Sequence, residues 1–79
     1  MAAFAKALID EALNDQQLTM SPGTNIGSIY LDSAIPGCNW TAHVSASDPE
    51  GIAEGRWAIA AVQQRYPNVS LTDMFCQYF

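Results

Sequence analysis

Basic side chains are scarce in this sequence. Lys6, Arg56 and Arg65 are the only three among 79 residues, against eight Asp and Glu, for a net charge of −5. A surface that grips a nucleic-acid backbone needs clustered Lys and Arg, so no direct nucleic-acid binding is expected. Charge of either sign is thin, at 14% of residues, where about 25% is ordinary. Histidine is limited to His43 and cysteine to Cys38 and Cys76. Three nitrogen or sulfur donors without a Cys-x-x-Cys pair fall short of a structural zinc site, and neither metal nor cofactor is expected. Two cysteines do not make a disulfide framework. A Cys38–Cys76 bridge would enclose 37 residues, and two reduced thiols are the expectation. Long apolar runs are missing too. None approaches the ~18 residues of a transmembrane helix, so no membrane partner is expected. Asp10 and Glu11 interrupt the first apolar stretch, Ala7-Leu8-Ile9, and a secretory signal does not read that way. A cytoplasmic location is the expectation.

What is present is apolar but small. Hydrophobic residues make up 49% of the chain. Twelve of them are Ala, and only seventeen are Leu, Ile, Val or Phe. Residues 1–79 read as one domain, since the length leaves no room for two ordinary ones. A chain of this size buries only about 60–65% of its unfolded surface. Its core is thin, and a stability of a few kcal/mol is expected.

Periodicity divides the chain. Residues 2–18 predict an amphipathic helix, with Phe4, Ala5, Leu8, Ile9, Ala12 and Leu13 on one half of the wheel. Lys6, Asp10, Asn14 and Gln17 fall on the other half. Ser21-Pro22-Gly23 is a turn, because Pro fixes φ and Gly supplies φ > 0. Residues 26–33 predict a strand with Ile29 and Leu31 on one face and Ser28, Tyr30 and Asp32 on the other. Pro36-Gly37 marks the next turn. Residues 38–47 predict a second strand, in which Trp40, Ala42, Val44 and Ala46 alternate with Thr41, His43 and Ser45. The two strands form an antiparallel hairpin. Asp48-Pro49 then supplies a helix N-cap and first helical position. Glu50 and Glu54 suit the positive end of that helix dipole. The helix should run to about Tyr66, where Pro67 prevents continuation. Ile52, Gly55, Ile59, Val62 and Tyr66 form its apolar stripe. Residues 69–79 predict a short strand or extended segment followed by a helical turn. The fold class is therefore α+β: a small two-layer domain in the order helix, strand, strand, helix, with a short C-terminal element.

Chemistry-bearing residues do not converge. His43 with Cys38 or Cys76 is the only thiol–imidazole pairing on offer. His43 and Cys38 lie on opposite faces of one strand, since their separation is odd. Asp10 and Glu11 are neighbours that point about 100° apart on a helix. Asp32-Ser33 in a short acidic chain matches the sequence at which acyl carrier proteins bear their prosthetic group, but Pro36 and Gly37 break the helix that motif opens. The glycines form no phosphate loop. Asn39-Trp40-Thr41 and Asn68-Val69-Ser70 fit the glycosylation sequon, which matters only on a secretory route. No catalytic residue is assigned, and the chain is not expected to be an enzyme.

Several surfaces need a cover. Trp57 lies roughly 170° from the apolar stripe of its helix, among Ala53, Ala60 and Ala61. The first helix, the C-terminal segment or a partner must bury it. Met74, Phe75, Tyr78 and Phe79 crowd the last six residues, where an apolar segment should dock on its own core or on another chain. The outer face of the hairpin, with Tyr30 and His43, is polar but nearly uncharged. These features predict a non-enzymatic module that binds another protein or a nucleoprotein complex. The sharper expectation is an inhibitor of a host machine, of the kind phages and mobile elements encode, such as an anti-CRISPR protein. Size, acidity and the lack of a catalytic set carry that reading. Trp57, Tyr30, Phe75, Tyr78 and Phe79 would form an aromatic contact. Asp10, Glu11 and Asp15, or Asp48, Glu50 and Glu54, could instead mimic phosphates in a basic channel. The alternatives are a homodimeric structural or regulatory module and a small thiol-dependent enzyme.

Overall fold

The strict alternation at residues 40–46 and the cap signal at Asp48-Pro49 each produce the element they predict. In the computed structural model, which describes residues 3–75, the order is α1 (Lys6–Leu18), β1 (Asn25–Leu31), β2 (Trp40–Ser45), α2 (Pro49–Arg65) and α3 (Leu71–Phe75). The strands form a two-stranded antiparallel sheet, and both long helices pack on it, α2 against β2 and α1 against β1. The result is a small α+β domain of two layers. Cys76, Tyr78, Phe79 and the Phe75 side chain lie outside the described residues. Among the described residues, no helix is long and apolar enough to cross a membrane.

The core fills the space between the layers. Ile9 and Leu13 from α1, Ile29 from β1, Trp40 and Ala42 from β2, and Ile59 and Val62 from α2 are all buried. Trp40 is its largest side chain, and its indole N–H donates to the Tyr66 carbonyl at 2.7 Å. A buried Trp needs such an acceptor. The Asp48 carboxylate caps α2 by accepting from the Gly51 N–H at 2.7 Å, with Pro49 in the first helical position. Gly51 and Gly55 let α2 sit close to the hairpin. A Cβ on Gly55 would lie 2.5 Å from Val44 Cγ1, and one on Gly51 would lie 2.7 Å from the Ala46 Cβ.

Three local features depart from the expectation. The first helix begins at Lys6 and not at residue 2. Phe4 instead forms a parallel bridge with Val69, through Phe4 N–H to the Asn68 carbonyl and Ser70 N–H to the Phe4 carbonyl. Without a capping side chain on Ala5, the start of α1 is completed from the far end of the chain, where the Asp73 carboxylate accepts from the Lys6 N–H at 3.0 Å. Second, the alternation of β1 slips between Ile26 and Ile29, which pair with Val44 and Ala42. Gly27 and Ser28 together oppose His43, a bulge that lets Ile26 and Ile29 both face the core despite their odd separation. Third, Gln17 does not face solvent on the polar half of its helix. Its side-chain amide donates to the Thr24 carbonyl and accepts from the Ile26 N–H. The far edge of β1 is thereby tied to α1.

The C-terminal part follows the expectation of an extended segment and then a helical turn. Val69 forms the strand-like bridge with Phe4, and the helical turn α3 follows. Val69 is buried at 1% exposure and joins the core with Met74.

Candidate functional site

The apolar stripe of α2 is used up by the hairpin, and this fixes what its other face must present. Gly55, Ile59 and Val62 point inward, while Ala53, Arg56, Trp57, Ala60 and Gln64 remain exposed. Trp57 is 72% exposed. Of the three covers considered, the first helix does not bury Trp57. α1 contacts α2, but its buried residues, Ile9 and Leu13, belong to the common core beneath the hairpin. Trp57 therefore stands on a ridge of small alanines, a large amphipathic surface without a described neighbour to bury it.

Beside that ridge runs a groove of about 490 Å³ between β2 and α2. One wall is Thr41 to Val44 of β2, and the other carries Ile52, Arg56, Ile59, Ala60 and Gln63 of α2. Tyr30 of β1 also lines it, beside His43. Their rings stack across the hairpin with centroids 4.6 Å apart and planes at 28°. Tyr30 is 37% exposed, so this stack offers a second aromatic surface on the same side of the molecule as the groove. Arg56 makes no hydrogen bond or ion pair with any described residue.

The acidic candidates separate into two kinds. Asp10 pairs with Lys6 one turn earlier in α1. Both oxygens of Glu54 are engaged by Ser21, from its N–H at 2.7 Å and its hydroxyl at 3.0 Å. Asp48 and Asp73 cap helices. Glu11, Asp15 and Glu50 are exposed. They are divided between two helices, and Asp10 and Glu54 have internal tasks.

The thiol–imidazole pair does not form at Cys38. Its free thiol is buried and donates to the Trp40 carbonyl at 3.3 Å, while His43 is exposed on the outer face. Among the described residues, no three His, Cys, Asp or Glu side chains converge as a metal site would need. The groove and Arg56 were not visible in the sequence, because they arise from the approach of α2 to β2. The glycines at 51 and 55 are the signal that could have suggested it, since close packing needs them on one helix face.

Comparison of the chain with protein-family models, with characterised proteins and with solved structures finds no match.

Proposed function

We propose that this chain is a non-enzymatic module that binds another protein through the exposed face of α2. The observation that carries the reading is Trp57, 72% exposed on a helix whose inward face is already filled. Trp is enriched among the residues that dominate binding energy, and small neighbours allow a partner surface to approach its ring. The stacked Tyr30 and His43 offer a second aromatic surface beside the groove. Within this reading, the chain acts as an inhibitor of a host protein or nucleoprotein complex, of the phage or mobile-element type exemplified by anti-CRISPR proteins. Short length, net negative charge and the sequence's lack of a catalytic set support that narrower form. Steric obstruction by the aromatic face is favoured over phosphate mimicry, because Asp10 and Glu54 are occupied by Lys6 and Ser21.

The test compares tagged wild-type chain with Trp57→Ala in extracts of the organism that carries the gene. A partner retained by the wild type and lost by the variant, at matched thermal stability, supports the proposal. Equal capture by both proteins overturns it. Salt-insensitive binding supports obstruction, whereas steep weakening with salt supports mimicry.

A further inference from the structure

The two edges of the hairpin are treated differently. The outer edge of β1 is tied to α1 by Gln17, which bonds the Thr24 carbonyl and the Ile26 N–H. On β2, the phase of the ladder follows from two bonds. The Asn39 carbonyl accepts from Asp32 N–H and so faces β1. The next carbonyl, of Trp40, accepts from the Gln63 side chain and so faces away. Main-chain groups alternate between the two sides of an antiparallel strand. Those of Ala42 and Val44 therefore point away from β1, on the side where Trp40 meets Gln63. Neither residue makes a main-chain bond to another described residue on that side. The groove lies along these two residues.

An open strand edge is an unfinished hydrogen-bond pattern, and the segment that completes it is extended backbone. The α2 wall spans Ile52 to Gln63, roughly 16 Å at 1.5 Å per residue. That length accommodates about five extended residues. Ile52 and Ala60 supply apolar contact, and Arg56 stands between them. Asp32 also lines the groove, but one of its oxygens accepts from the Ala34 N–H at 2.7 Å. Arg56 has no such bond and calls for a carboxylate. A second copy adding its own β2 would bring none, because residues 40–45 contain no Asp or Glu.

We propose that the cleft between β2 and α2 receives an extended peptide segment of a partner protein, paired along Ala42 and Val44, with an acidic side chain of that segment on Arg56. This rests on the protein-binding reading and names the chemistry of the partner. Edge pairing supplies sequence-independent affinity, and Arg56 with the apolar wall selects among segments.

A random peptide library displayed on phage, panned against the full chain, tests the proposal. The enriched peptides carry one Asp or Glu among alternating β-branched or aromatic residues. A synthetic peptide of the leading sequence loses at least about tenfold in affinity for Arg56→Glu, and exchanging its acidic residue for Lys restores binding to that variant. Methylating those peptide nitrogens that face β2 costs a similar factor, whereas methylating the alternate nitrogens does not. Amide exchange at Ala42 and Val44 slows on binding. The proposal is overturned by peptides that tolerate Arg56→Glu and every methylation, by a library that yields no enriched sequence, or by a self-associating chain whose own pairing protects Ala42 and Val44. Peptides that depend on Trp57 but not on Arg56 overturn the edge pairing and leave the binding module standing. Equal capture by wild type and Trp57→Ala overturns the module itself.

Discussion

The side chain of Asn39 pairs with the main chain of Val69 as if it were a strand. Its Oδ1 accepts from the Val69 N–H at 2.8 Å, and its Nδ2 donates to the Val69 carbonyl at 3.1 Å. The Asn39 N–H also donates to the Pro67 carbonyl. One residue at the mouth of β2 thus satisfies three polar groups of the segment between α2 and α3. An amide is the side chain that offers a donor and an acceptor side by side.

Asn39→Ala removes both side-chain bonds and leaves the N–H and carbonyl of a buried residue without partners. A loss of about 2 kcal/mol is expected, since an unsatisfied buried group costs more than a mean hydrogen bond contributes. Urea unfolding measures it, and a change under about 0.5 kcal/mol would show that water replaces the amide at no cost.

Gly55→Ala should destabilise the protein even though Ala favours a helix over Gly by about 1 kcal/mol. The added Cβ would meet Val44 Cγ1 at 2.5 Å, and overpacking of this kind costs about 1–3 kcal/mol. Removing the clashing methyls with Val44→Ala should recover part of that loss. The double variant is then more stable than the sum of the single effects requires. Strict additivity in thermal melts would mean that the helix shifts freely away from the sheet.

Asp73→Ala should cost about 1 kcal/mol, the ordinary value of a helix cap. The effect should fall on α1, 67 residues away in sequence, because Asp73 accepts from the Lys6 N–H. Faster amide exchange in the first turn of α1, with α2 unaffected, is the expected signature.

Trp57→Ala should leave the unfolding free energy within about 0.5 kcal/mol of the parent. At 72% exposure the ring contributes little to the core. Severe destabilisation in urea would show that the ring belongs to the core.

Much of the fold was legible because its signals are local. Trp40, Ala42 and Val44 alternate without interruption, and Asp48-Pro49 announces a helix in two residues. Side-chain direction in β1 was only half legible. Strict alternation puts Ile26 opposite to Ile29, and the bulge at Gly27 and Ser28 reverses this. Phe4 fits the apolar side of a helical wheel, but its bridge partner, Val69, lies at the other end of the chain. The tasks of Gln17, Asn39 and Gln63 were hidden for the same reason. An amide in a sequence gives no sign of which distant main chain it will bond. The candidate site divides along the same line. The place of Trp57 opposite the apolar stripe follows from counting around one helix, whereas its lack of a cover among the described residues, Arg56 and the groove emerge only once the elements have packed.

The Phe4–Val69 bridge also sets an order of events. Phe4 and its bridge partner Val69 stand 65 positions apart in the chain. Closing so long a loop carries an entropic cost that local contacts avoid. The hairpin and α2 hold the nearer contacts and can assemble first. The leading end of the N-terminal helix is held by contacts with residues 68 to 73. On topology alone, the leading end of α1 is expected to be the last part of the fold to be fixed.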